Sequence, residues 1–102
     1  MTLVEVVKME TFFTRLTGLM GRSTIDSGKF YLLTPCSSIH TFFMKLSLDV
    51  VFVDETDQIL ALHRNIGKNK MLYHRGAKAV LEGRVGLIDE YHLKIGEQIR
   101  VV

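Results

Sequence analysis

The stretch Pro35–Asp54, PCSSIHTFFMKLSLDVVFVD, decides how this chain folds. Its second half, Leu48 to Val53, is almost continuously apolar and rich in valine, the pattern of a strand buried on both faces. Asp54 closes that run, and DETDQ turns the chain. Ile59 to His63 then returns as an antiparallel partner. The turn lacks a glycine, so a loop longer than the tight two-residue type is expected. In the first half, Ile39 to Met44 reads as extended. Thr34 and Pro35 end a preceding strand, Lys29–Leu33, because proline has no N–H for a ladder.

The flanks supply shorter elements. Leu3–Val7 predicts a strand. Phe12, Leu16 and Leu19 or Met20 recur at helical spacing, which predicts a helix over Thr11–Leu19 stopped by Gly18 and Gly21. Asn65 to Arg75 reads as a loop that docks Met71, Leu72 and Tyr73 on the core. Ala77–Leu81 predicts a strand. Val85, Ile88 and Tyr91 predict a second helix within Arg84–Tyr91, and Gln98–Val102 predicts a closing strand after the LKIGE turn. The sum is a mainly-β fold: a single domain over residues 1–102, sandwich or barrel-like, with about 6–7 short strands and two short helices.

Composition agrees with a globular domain. The chain has 102 residues, 47% hydrophobic and 24% charged, which argues against disorder. A net charge of +2 is too small to imply nucleic acid, and none is expected as a partner. The single cysteine, Cys36, forms no internal disulfide and suits a reducing compartment. The N-terminus, MTLVEVVKME, carries acids and lacks the basic and apolar regions of a signal peptide. No apolar run approaches the ~18 residues of a membrane span. The expectation is a cytoplasmic monomer or weak homodimer.

Chemistry-bearing residues concentrate in the opening stretch: Cys36, His40, Thr41, Lys45 and Asp49. Cys36 and His40 lie four apart, which fits a nucleophile–imidazole pair or a half-buried thiol beside a hydrogen-bonded ring. No oxyanion hole or third orienting group accompanies them. A zinc site would have to draw on Cys36, His40 and one of His63, His74 or His92. The usual paired spacings are missing, so no metal or other cofactor is expected. Asp49 interrupts an apolar strand, and a carboxylate there needs partners. His40, Thr41, Lys45 and the amides of Ser37 and Ser38 are candidates for a clamp that ties the loop over 35–47 to the sheet. Phe42, Phe43 and Met44 form an apolar cluster, which reads as core or as a small hydrophobic binding patch. Between Arg64 and Arg84 six cations face one acid, Glu82, which reads as a solvated face or as a contact for an anionic partner.

These motifs resemble a prokaryotic family, domain of unknown function 192. Its members carry patterns such as C-x-x-I-H-T-F-G-M-R-F-P-[IL]-D-V-[VI]-F-[LV]-D. Cys36, Ile39, His40, Thr41, Phe42, Met44, Leu48, Asp49, Phe52 and Asp54 fall on that pattern. Gly18-Leu19-Met20-Gly21-Arg22 is similar to the family's GLMGR element. Ala77–Glu82 and Leu93–Ile99 are similar to its closing A-x-x-V-L-E and G-[ED]-x-[IVL] elements. The family's glycine is Phe43 here, its R-F-P is Lys45-Leu46-Ser47, and its D-x-x-G turn becomes Asp54 to Asp57 followed by Gln58. The resemblance implies a small mainly-β fold and no established activity; some relatives are exported. The leading functional expectation is a non-enzymatic binding or accessory module built around His40, Thr41 and Asp49 beside Phe42 and Met44. The alternative is a small hydrolase or metal-dependent enzyme using Cys36, His40 and Asp49.

Overall fold

A computed structural model describes residues 1–8, 28–42 and 46–102. Its strands are β1 (Thr2–Val4), β2 (Val6–Lys8), β3 (Phe30–Leu33), β4 (Ser38–His40), β5 (Leu48–Val53), β6 (Ile59–Ile66), β7 (Met71–Tyr73), β8 (Ala79–Arg84) and β9 (Ile99–Val101). A short helix, α1 (Leu87–Glu90), follows β8. The fold is mainly β, as the sequence predicts.

Five strands form a central sheet in the order β2-β3-β8-β5-β6. Only the β2–β3 pairing is parallel. The remaining strands form two pairs, parallel β1–β9 and antiparallel β4–β7. β5 lies between β8 and β6, and all six of its residues are buried. Successive side chains on a strand point to opposite faces, and β5 therefore feeds two cores. Val51 and Val53 join Phe30, Leu32, Leu81, Leu87, Ile88, Val4 and Ile99 on one face. Leu48, Val50 and Phe52 join Tyr31, Leu33, Val80 and Ile39 on the other, with Leu72 packed against them. The first core contains residues of α1 and of the β1–β9 pair; the second contains residues of the β4–β7 ribbon. Each face of the central sheet is thereby covered by one of the smaller units, and burial of large side chains such as Phe30 and Phe52 contributes roughly 1.5–3 kcal/mol apiece.

The hairpin that organises the sheet forms as expected. Asp54 Oδ1 accepts hydrogen bonds from Thr56 N (2.8 Å), Thr56 Oγ1 (2.7 Å) and Gln58 N (3.0 Å), closing the five-residue turn between β5 and β6. Asp57 takes a left-handed conformation, φ 63°, in place of the missing glycine. The hydroxyl and amide donors hold the Asp54 carboxyl below its usual range.

Four sequence expectations change. The predicted strand Leu3–Val7 divides at Glu5 into β1 and β2, which join different sheets. Of the extended segment predicted over Ile39–Met44, the part through Phe42 is described, and there the strand begins at Ser38 and ends at His40. The segment read as a loop, Asn65–Arg75, contains β7, because β4 offers it a pairing partner that sequence periodicity does not display. The second helix shrinks to Leu87–Glu90, since Gly86 at φ 98° starts it late. The first predicted helix, Thr11–Leu19, lies outside the described residues. Among the described residues no helix is long and apolar enough to cross a membrane.

Candidate functional site

The β4–β7 ribbon has two unlike faces. Ile39 pairs with Leu72, and both pack toward the second core. Ser38 pairs with Tyr73 and His40 with Met71, so these four side chains share the outer face. There Met71 is 73% exposed and Tyr73 67%. Phe42 extends the same surface, its ring stacked on His40 at 4.9 Å between centroids. His40 Nδ1 accepts the Phe42 N–H at 3.3 Å, which sets that stack.

Thr41, between these two rings, points the other way and is fully buried. Its Oγ1 donates to the Gly67 carbonyl at 2.6 Å and accepts from Lys70 N at 2.9 Å. The Thr41 N–H donates to the Lys70 carbonyl at 2.8 Å. One threonine thus fixes the loop between β6 and β7 to the end of β4. Beyond the other end of the ribbon, Pro35, Cys36, Ser37, Ser38, Ala77 and Lys78 line an open groove of about 490 Å³. Cys36 Sγ donates to the Ser38 carbonyl at 3.0 Å, and Cys36 N donates to the Lys78 carbonyl at 2.9 Å.

Asp49 is placed elsewhere. It alternates with Leu48 and Val50 on β5, so it projects to the α1 face while Cys36 and Ile39 pack on the opposite face. Asp49 Oδ2 accepts from Gly86 N (3.1 Å) and Ile88 N (3.0 Å), and Oδ1 accepts from Asn65 N (3.0 Å). The carboxylate is therefore a clamp, but it ties β6 and the start of α1 to β5 rather than holding the loop over 35–47. The sequence-based partners His40, Thr41, Ser37 and Ser38 are replaced by backbone amides far along the chain. Lys45, Phe43 and Met44 lie outside the described residues. Of the five predicted site residues, Cys36, His40 and Thr41 gather around β4, and Asp49 does not join them. Among the described residues, no group of three His, Cys, Asp or Glu side chains is arranged to hold a metal ion.

Sequence reasoning passed over Glu82. In the ladders Glu82 lies directly opposite Tyr31 of β3 and Val50 of β5, and Val50 lies opposite His63 of β6. Tyr31, Glu82, Val50 and His63 thus form one row across four strands on the second core's face. Glu82 is 8% exposed, and burial pushes its carboxyl up to about 7. His63 lies edge-on to Phe52 at 5.6 Å, and His74 lies 6.0 Å from the same ring. Burial, and then the neighbouring His74, hold the His63 imidazole below its usual range. The available signal for Glu82 was an acid at the end of the apolar run AVLE, within a segment of otherwise uniform positive charge.

Four cations flank the ribbon in sequence. Lys68 and Lys70 precede β7; Arg75 and Lys78 follow it, and all four are exposed. Arg64 pairs with Asp89 at 3.0 Å and Arg84 with Glu90, and none of Lys68, Lys70, Arg75 and Lys78 forms an ion pair with a carboxylate among the described residues. No acid occurs from Gln58 to Leu81.

This combination defines a class: a small mainly-β domain with two buried carboxylates in its central sheet and an exposed apolar ribbon on one side. The chain belongs to the family domain of unknown function 192, described as "Uncharacterized ACR", whose model matches residues 2–101. It is 34% identical over 94 residues to a UPF0127 protein of Thermococcus sibiricus, covering 88% of this chain and 61% of that one. A UPF0127 protein of Thermococcus kodakarensis is 29% identical over 101 residues, covering 93% and 63% respectively. The chain thus spans less than two thirds of the length of these curated relatives. Two crystal structures share the fold at 21% identity and 91% coverage of this chain. One is a protein of unknown function from Novosphingobium aromaticivorans, with a TM-score of 0.79 and 71% of that chain covered. The other is a Sinorhizobium meliloti protein named as a candidate transcription regulator, with a TM-score of 0.77 and 78% covered.

Proposed function

We propose that this domain is a non-enzymatic binding or accessory module. Its contact surface is the outer face of the β4–β7 ribbon, and its partner is anionic. The observation that carries this reading is the exposure of Met71 and Tyr73 side by side with the stacked His40–Phe42 pair, on a ribbon flanked by cations that pair with no carboxylate among the described residues. Large apolar side chains grouped on a surface mark contact sites more often than isolated ones do. Uncompensated positive charge steers an acidic partner to that surface. Cys36 and the groove beside it border the same site. The reading places the domain in the cytoplasm, as a monomer until it meets its partner.

The test is titration of the ¹⁵N-labelled protein with poly-L-glutamate at low salt. Amide shifts concentrated in residues 38–42 and 68–78, lost at 0.5 M salt, are expected. The acidic turn Asp54–Gln58 should not move. Absent shifts, or shifts spread evenly over every lysine and arginine, would overturn the reading.

A further inference from the structure

We infer that β7 is an open sheet edge that accepts an extended acidic peptide segment of a partner protein as an added strand. This inference rests on the contact surface proposed above and names the way in which the partner is held.

The hydrogen bonds of the ribbon fix which backbone groups are free. Thr41 N donates to the Lys70 carbonyl, and His74 N donates to the Ser37 carbonyl. Antiparallel ladders alternate between hydrogen-bonded and non-hydrogen-bonded pairs. Stepping two residues inward from each of these bonds reaches the same pair, Ile39 and Leu72. The hydrogen-bonded positions are therefore Thr41–Lys70, Ile39–Leu72 and Ser37–His74. Met71 and Tyr73 occupy the other positions, and their N–H and C=O groups point away from β4. The ribbon contains only two strands, so nothing among the described residues continues it past β7. Two residues at i and i+2, each offering a donor and an acceptor on one side, form the unit to which a further strand pairs.

An open edge invites pairing of any kind, and lysines commonly guard such edges. The charge around β7 selects the occupant. Lys68 and Lys70 stand before the edge and Arg75 and Lys78 after it, all exposed, with no acid in the intervening chain. A second copy of the chain pairing here would bring two such sets of cations together, which like-charge repulsion disfavours. A strand carrying Asp or Glu meets them with complementary charge. The side chains also fit a peptide better than a nucleic acid strand. Met71 is flexible and adapts to varied apolar partners. The Phe42 ring is already stacked on His40, which leaves Tyr73, among the described residues, as the further aromatic ring on the ribbon's outer face for a base to stack on.

The experiment uses a capped seven-residue peptide alternating Glu and Val, its fully N-methylated counterpart, a Lys–Val counterpart and oligothymidine. Each is titrated into the labelled protein, followed by amide exchange. The Glu–Val peptide is expected to slow exchange of the Met71 and Tyr73 amides at least tenfold at saturation. The N-methylated and Lys–Val peptides should bind at least tenfold more weakly. The double variant Lys70→Glu with Arg75→Glu, checked for unchanged thermal unfolding, should reverse the preference between the acidic and basic peptides. Equal binding of the N-methylated peptide would overturn strand addition. So would oligothymidine moving these amides when the peptide does not, or protection that appears with protein concentration alone. If poly-L-glutamate shifts residues 68–78 while the Glu–Val peptide leaves the two amides unprotected, the binding surface stands and strand addition fails. If neither ligand acts, both fail, and the lysines serve only to guard the edge.

Discussion

Gly83 stands directly opposite Asp49 in the β5–β8 ladder, and the missing side chain of one makes room for what surrounds the other. A Cβ on Gly83 would come within 2.7 Å of Leu87 Cδ2 and 2.9 Å of Phe30 Cδ1. Those contacts seat α1 close to β5, at the height where the Asp49 carboxylate reaches Gly86 N and Ile88 N. The glycine and the carboxylate together dock the helix.

Substituting Gly83→Ala should therefore destabilise the fold by about 1–3 kcal/mol through overpacking. Urea unfolding measures this, and the α1 amides should lose exchange protection before those of β3. A variant as stable as the parent would mean that Phe30 and Leu87 can shift aside freely.

Asp49→Asn keeps the size but turns one acceptor into a donor facing backbone N–H groups. Each buried donor left unsatisfied costs about 1–3 kcal/mol. The expected loss is roughly 2 kcal/mol or more, with increased exchange at Asn65, Gly86 and Ile88. Because the outer face of β4–β7 lies on the other side of the sheet, peptide binding by the folded variant should be unchanged. Loss of binding at full stability would instead make Asp49 a contact residue.

Thr41→Val removes a hydroxyl that donates to the Gly67 carbonyl and accepts from Lys70 N. A cost of about 1–3 kcal/mol is expected, since both backbone partners lose their bond. Thr41→Ser should recover most of it. The loop between β6 and β7 should become more mobile in Thr41→Val on the timescale of amide exchange. An unchanged loop would show that the Thr41 N–H bond to the Lys70 carbonyl suffices alone.

Glu82 gives the protein a pH dependence of unusual sign. Burial raises its carboxyl in the folded state from 4.5 to about 7. Below pH 4.5 the group is neutral in both states. Between pH 4.5 and about 7 the unfolded chain ionises first, so unfolding releases a proton and stability falls as pH rises. Above about pH 7 both states are ionised and the full penalty persists, roughly 3 kcal/mol. Glu82→Gln should remove this component, and its gain over the parent should be larger at pH 8 than at pH 5. Equal denaturation midpoints for the two proteins at pH 8 would show that the ionised Glu82 is satisfied in the folded state.

The central hairpin was legible because its signal is local. The apolar run from Leu48 to Val53 forces burial on both faces, and Asp54 with Asp57 supplies the turn. The ribbon was only half legible. β4 begins near the predicted segment, but β7 is three residues long with no apolar–polar alternation and so reads as loop; Met71 and Tyr73, expected to dock on the core, are exposed and only Leu72 packs there. The candidate site divided for the same reason. Sequence proximity placed Asp49 with His40, whereas strand alternation turned it to the opposite face.

The sequence alone determined the mainly-β class, the family and the need for Asp49 to find partners. It did so because composition, strand period and the solvation of a carboxylate depend on a residue and its near neighbours. Tertiary structure decided which partners those were: amides 16, 37 and 39 residues away. It also decided that Glu82 lies under cover and that, among the described residues, no further strand pairs with β7. A period of two assigns a side chain to a face, but only the packed fold determines what, if anything, covers that face.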